Sequence, residues 1–169
     1  MRSKYIQYYV EGEDEEKLVN VLKSELRVIR PGKVQKLNVV EQEITDMRLR
    51  TLNKATMVVL VFDTDTGNVN VLNKNIKTLQ NCSSVSEIVL IPQVANLEHE
   101  LVRSCNIKKI EELLNSKSRS EFKSDLIHVT NLGKKLQEHR FDINRFWSET
   151  PTLAYQEIRN QASKIKLVK

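Results

Sequence analysis

Two acidic stretches, far apart in the chain, carry the residue types of a divalent-cation site. The first, Glu11-Gly12-Glu13-Asp14-Glu15, follows the apolar run Tyr8-Tyr9-Val10; the second, Asp63-Thr64-Asp65-Thr66-Gly67, follows Thr56–Phe62 (TMVVLVF). Unpaired carboxylates gathered in one crevice repel each other and are costly to keep ionised. A hard cation such as Mg²⁺ or Mn²⁺ resolves that conflict, because it takes carboxylate oxygens and leaves positions for water or substrate phosphates. Such a site suits phosphodiester chemistry, in which charge on phosphate must be stabilised and an attacking oxygen activated. Acids after a strand also serve as ordinary turn and N-cap residues. Asp14 and Glu15 in particular fit the start of a helix. The pairing of two such stretches in one alternating frame is what favours a site over two caps.

The elements that must position these residues are legible from periodicity. Lys4–Val10 is short, aromatic and β-branched, and reads as a strand. Glu13–Leu26, with Leu18, Leu22 and Leu26 four apart and acids in its first turn, reads as an amphipathic helix. Pro31-Gly32 marks a turn, Val34–Val40 a second strand, and Glu41–Leu52 a second helix carrying Ile44, Met47 and Leu52. Thr56–Phe62 is almost entirely apolar, as a parallel strand covered on both faces must be. Asn68–Leu79 places Val69, Leu72, Ile76 and Leu79 on one stripe, and Val85–Ile91 is a fourth strand closed by Pro92. Four strands separated by helix-length segments predict an α/β domain with a four-stranded, mainly parallel sheet. The carboxyl ends of parallel strands face the ligand crevice, so Glu11, Asp63 and Asp65 are expected to converge there. Gly12 and Gly67 are expected to let the backbone turn sharply beside them.

From about Asn96 the pattern becomes helical, over Ile107–Leu114, Phe122–Val129, Leu132–Gln137, Ile143–Trp147 and Leu153–Ile165. The organisation expected is an α/β core over 1–104 and a helical extension over 105–169 packed on the same domain. Charge divides the same way. Residues 1–116 hold 16 basic and 16 acidic side chains, so the net +5 of the 169 residues lies wholly in 117–169, where 11 basic face 6 acidic. A neutral body with a basic last third predicts contact with a polyanion, through Lys117, Arg119, Lys123, Lys134, Lys135, Arg140 and Arg145. The competing explanation is that these cations simply solvate exposed helix faces. Cys82 and Cys105 form no framework and no ligand spacing, which predicts a reducing, cytoplasmic setting. No apolar run approaches the roughly 18 residues that span a membrane, and MRSKYIQYYVEGEDEE shows no signal-peptide h-region, so neither a membrane span nor a secretory leader is expected.

The strand ending in Glu-Gly, YYVEG, and the later strand ending in Asp-x-Asp, VLVFDTD, resemble the toprim domain of topoisomerases, primases and several nucleases. The resemblance spans roughly residues 4–100. It is nearest to the small nuclease-like branch of overcoming-lysogenization-defect and RloB-like defence proteins, through Glu11-Gly12 with Glu15 and a later acid after the fourth strand. The resemblance implies Mg²⁺-dependent cleavage of DNA or RNA in bacterial or phage-related defence. It makes Glu11 a general acid/base or metal ligand, and Asp63 and Asp65 metal ligands. It lets Glu15 and Glu98 complete one or two cation positions, with Glu100 competing for the last. An activating partner protein, such as an ATPase, is expected to be separate. Gly67 follows DTDT directly, one residue earlier than in many toprims.

Two other readings use the same residues: a non-catalytic toprim-like regulatory module, and a metal-dependent phosphatase of small esters. DTDTG does not open a calcium loop, because Asn68 and Lys74 stand where that loop needs Gly and Glu. Phosphatases with a nucleophilic Asp-x-Asp place it after the first strand. His99, His128 and His139 show no ligand spacing, and Trp147 and Phe146 beside Arg145 read as core before they read as a base-stacking pair.

Overall fold

The computed structural model describes residues 2–167. Strands β1 (Tyr5–Val10), β2 (Lys33–Lys36), β3 (Thr56–Asp63) and β4 (Val85–Gln93) form one sheet in the order β2-β1-β3-β4. Every pairing is parallel. Among the described residues seven α-helices flank it: α1 (Glu13–Ser24), α2 (Asp46–Arg50), α3 (Asn70–Gln80), α4 (Leu97–Ser104), α5 (Glu111–Leu114), α6 (Arg119–His128) and α7 (Leu132–Glu138). The fold is α/β, and the two innermost strands are β1 and β3, the pair that ends in the acidic stretches. Among the described residues no helix is long and apolar enough to cross a membrane.

Strand alternation divides the core in two. Ile6, Tyr8 and Val10 of β1 join Met57, Val59 and Val61 of β3 on one face, beneath Leu18 and Leu22 of α1 and Leu101 of α4. That layer also takes in Phe122, Leu126, Leu132, Leu136, Phe146 and Trp147, so the C-terminal third shares the core of the sheet. Tyr9, Val58, Leu60 and Phe62 face the other way, onto Leu72 and Leu79 of α3.

The structure corrects several boundaries, each for a local reason. The second strand pairs only over Lys33–Lys36; after Leu37 donates its N–H to Val10 O at 2.7 Å, the chain leaves the sheet. Val39, Val40 and Ile44 are nonetheless buried, in a loop. The buried Asn75 makes that possible: its Oδ1 accepts from Ile44 N at 2.8 Å and its Nδ2 donates to Val39 O and Gln42 O at 2.9 and 2.8 Å. With those backbone groups satisfied, irregular chain can be buried without penalty. Helix α2 is therefore five residues, capped by Thr45, and Met47 is 78% exposed rather than part of a core stripe. Strand β4 continues through Pro92 to Gln93, opposite Phe62 and Asp63. An edge strand tolerates proline because its outward N–H has no ladder partner.

Ile143–Trp147 is turns, and Leu153–Ile165 is two short 3₁₀ turns, Leu153–Tyr155 and Ala162–Lys164, rather than a helix. Gln161 fixes this segment against the free edge of β4, donating its N–H to Leu90 O at 2.9 Å and accepting from Leu90 N through Oε1 at 3.0 Å. Covering an edge in this way removes a template for strand addition. Tyr155, Ile158, Ala162 and Ile165 keep helix-like spacing and are buried, but they arrive by turns.

Candidate functional site

The carboxyl edge of the sheet opens into a cleft of about 500 Å³ lined by Glu11, Asp14, Glu15, Glu41, Asp63, Asp65 and Glu98. Seven carboxyl groups there face one ammonium, that of Lys123. Strand β1 delivers Glu11 and strand β3 delivers Asp63, and the two meet directly: Glu11 Oε2 accepts the Asp63 backbone N–H at 3.1 Å. Asp65 lies two residues beyond, exposed in the loop after β3. Thr64 between them ties that loop to the end of β4, donating its N–H to Ala95 O at 3.0 Å and its hydroxyl to Gln93 O at 2.9 Å. Ala95 occupies the left-handed region, with φ 51°, where the chain bends into Asn96 and α4. That bend brings Glu98, in the first turn of α4, to the cleft.

Glu98 and Glu100 part company. Glu98 lines the cleft, whereas Glu100 is wholly buried, paired with Arg103 at 2.7 Å and accepting from Val94 N at 3.4 Å. Two residues apart on a helix they cannot share a face. Glu15 has a structural occupation as well: its Oε2 accepts Gly12 N–H at 3.0 Å and so caps α1. Asp14, 3% exposed, has an Oδ1 with no hydrogen-bond donor, and Lys123 Nζ stands 3.7 Å from its other oxygen. The chain bends at both Gly12 and Gly67 as expected, but neither bend uses a positive φ, and Gly12 sits at φ −147°, a conformation open to any residue. Gly12 is instead restricted by space: a Cβ there would stand 3.1 Å from Asp14 Oδ1 and 3.3 Å from Glu15 Oε2.

Electrostatics follow from this crowding. Burial, then the charge of Glu11, pushes the Asp63 carboxyl up to about 8. Burial, then its contact with Asp14, pushes Glu15 up to about 10. Glu11 is also raised by burial, against the hydrogen bonding at Asp63 that lowers it. Lys123 is raised by Asp14 and by more distant Glu15, Glu98 and Glu11. Hard oxygen donors with this much mutual repulsion, and a buried acid oxygen without a donor, fit a divalent cation in chemical type. Among the described residues no three of these side chains already stand close enough to form a ready-made cage.

Sequence reasoning missed the partner of Asp63. Gln93 donates from Nε2 to Asp63 Oδ1 at 2.7 Å, and its Oε1 accepts from Trp147 Nε1 at 3.1 Å. Ending the fourth strand before Pro92 hid this, because Gln93 reaches the site only when β4 runs on opposite Asp63. Of the described basic residues, Lys123 alone lines the acidic cleft. Arg119 lines an adjoining hollow of about 360 Å³ with Lys108, Lys109 and Glu98, and Glu98 belongs to both spaces. Lys134 and Lys135 on α7 pair with Glu138, and α7 packs beside the C-terminal end of α1, where Gly133 meets Glu25, away from the cleft. Lys117, Arg140 and Arg145 line neither space. Trp147 and Phe146 are core, with ring centroids 4.6 Å apart. Compared with models of protein families, with curated proteins and with solved structures, the chain matches none.

Proposed function

We propose that the protein is a divalent-cation-dependent phosphodiesterase acting on a polynucleotide. The observation that carries this reading is the meeting of Glu11 from β1 with Asp63 from β3, joined at 3.1 Å at the carboxyl edge of a parallel sheet. Asp63, Asp65, Glu98 and Glu11 are the oxygen donors for Mg²⁺ or Mn²⁺, and Glu15 stands behind them as the cap of α1. When bound, the cation would neutralise charge developing on a phosphate and favour ionisation of an attacking oxygen. Glu11, close to Asp63 and raised by burial, is placed to hold or release a proton at the reacting oxygen. Gln93 keeps the Asp63 carboxylate oriented through Oδ1, and Trp147 keeps Gln93 oriented in turn. The basic hollow beyond Glu98 favours a polymer over a small phosphate ester, since it offers cations where the next phosphates of a strand would run. The toprim resemblance adds defence as the setting and a separate activating protein as a partner.

The test is cleavage of supercoiled plasmid and of total RNA with Mg²⁺ or Mn²⁺, comparing the protein with Asp63→Asn. Cation-dependent cutting that falls by about a thousandfold in the variant, the several kcal/mol such a cation supplies, is the expected result. Cutting that persists in folded Asp63→Asn, or that needs no cation, removes this reading. Turnover of a chromogenic phosphomonoester without polynucleotide cleavage would replace it with the phosphatase.

A further inference from the structure

A second hollow lies at the opposite, amino-terminal edge of the sheet, on the face that α2 covers only partly. It measures about 470 Å³, within the range of small-molecule sites, and has no Asp or Glu in its lining. Lys4, Arg30 and Lys33 line it, and among the described residues none of the three forms an ion pair; the Arg30 guanidinium donates to Met57 Sδ at 4.0 Å on the other face of the sheet, which leaves Lys4 and Lys33 as the cations the hollow offers. The space exists because α2 is only five residues long, about 7.5 Å of helix, and β2 only four. The side chains of Tyr5 and Gln7, which alternate onto this face of β1, are left without a helix above them.

The polar floor of the hollow is built rather than incidental. Gln7 is 4% exposed, yet lines the space. Its Nε2 donates to Tyr8 O at 3.0 Å and to Lys33 O at 3.4 Å. Both partners are carbonyl oxygens, so the nitrogen must face them, and the amide oxygen, with no donor among the described residues, stays open to solvent in the hollow. A ligand N–H can take the place of water on that fixed acceptor. Tyr5, 50% exposed, offers a ring face at the same space. Two lysines without carboxylate partners, one open acceptor and one exposed ring match the parts of a nucleotide: phosphate, an N–H edge and a stacking base.

We propose that this hollow binds a mononucleotide, at a site separate from the acidic cleft, with Lys4 and Lys33 on phosphate, Gln7 Oε1 on the base edge and Tyr5 stacked on the base. Calorimetric titration of the full chain with AMP, ATP and GTP in the presence of EDTA tests this, because a chelator prevents the acidic cleft from holding phosphate through a cation. Pyrophosphate serves as the control anion. One nucleotide per chain is expected, weakened about tenfold by Tyr5→Ala, the loss of one stacked base, and more than that by Lys33→Glu. Both changes are at exposed positions, and a thermal melt confirms folding of each variant. Gln7→Glu should weaken binding too, whereas Asp63→Asn should leave it unchanged. No binding at millimolar nucleotide overturns the proposal, as does pyrophosphate binding as tightly as ATP. Nucleotide affinity that is lost in Asp63→Asn and kept in Lys33→Glu would place the ligand in the acidic cleft and also overturn it. None of these outcomes depends on whether the chain cleaves polynucleotides.

Discussion

At Asp63 and Glu15 the folded chain holds protons that the unfolded chain has already released. Both carboxyls are raised, to about 8 and about 10, by burial and by neighbouring acids. The sign follows: these groups favour the native state fully below the ordinary carboxylate range near about 4, and that contribution is lost as pH rises through their folded values. With a chelator present, the thermal midpoint should therefore decline between about pH 5 and pH 9. Asp63→Asn should flatten the lower part of that decline, and added Mg²⁺ should raise the midpoint more at about pH 8 than at about pH 5. A midpoint that climbs over this window would show that the acids are not crowded as described. Glu98 and Glu100 make the same point about neighbours. Nothing in Glu-His-Glu separates them; helical geometry sends one to the cleft and the other onto Arg103.

Elements are held here by a few close approaches. Gly32, at the turn into β2, has no room for a side chain: a Cβ would stand 2.6 Å from Ile6 O and 2.8 Å from Ile6 Cβ. Gly32→Ala should cost about 1–3 kcal/mol, the usual penalty of forcing atoms into packed space. Gly67→Ala is the control, because nothing lies within 4 Å of its Cβ position and no positive φ is required. It should fall within about 0.5 kcal/mol of the parent in urea denaturation. Equal effects at the two glycines would contradict the described approach of β2 to β1. The β4 edge offers a further instance. Gln161 supplies both partners that Leu90 would otherwise seek in another strand, so an irregular segment covers the edge where a helix was expected.

Across the whole molecule, the C-terminal third is tied to the site by the hydrogen-bonded chain Trp147 to Gln93 to Asp63, by Tyr155, whose hydroxyl meets Thr66 Oγ1 at 2.8 Å, and by Lys123 beside Asp14. Trp147→Phe keeps most of the buried ring but removes the indole donor. It should cost about 1–3 kcal/mol of stability by leaving Gln93 Oε1 unpaired, and lower the cleavage rate with little change in substrate binding. Equal loss in rate and binding would assign Trp147 to packing alone. Charge acts at the same scale. Lys108→Glu and Lys109→Glu should weaken polynucleotide binding and make it less sensitive to salt, by about one counterion for each phosphate that is no longer neutralised. Lys134→Glu, on α7 beside Glu138, should change that slope far less.

Local signals in the chain are enough to establish the class of fold, the strands that end in acids, and Glu11, Asp63 and Asp65 as residues of one edge. Those signals are period, apolar runs and the rule that parallel strands open ligand clefts at their carboxyl ends. How far β2 and β4 pair is beyond their reach, because pairing depends on a neighbour's register and on whether Pro92 falls on an edge. The same holds for 37–44, which buries its apolar residues as loop because the deciding group, Asn75, lies on another element. Helical spacing over 153–165 misleads for a related reason: three- and four-residue spacing buries side chains equally well through successive turns once Gln161 is pinned to β4. Tertiary packing chose Glu98 over Glu100, gave Asp63 its Gln93 partner, and left Lys123 as the one predicted basic residue in the cleft. Each of those outcomes depends on contacts between segments distant in the chain, which local pattern does not encode.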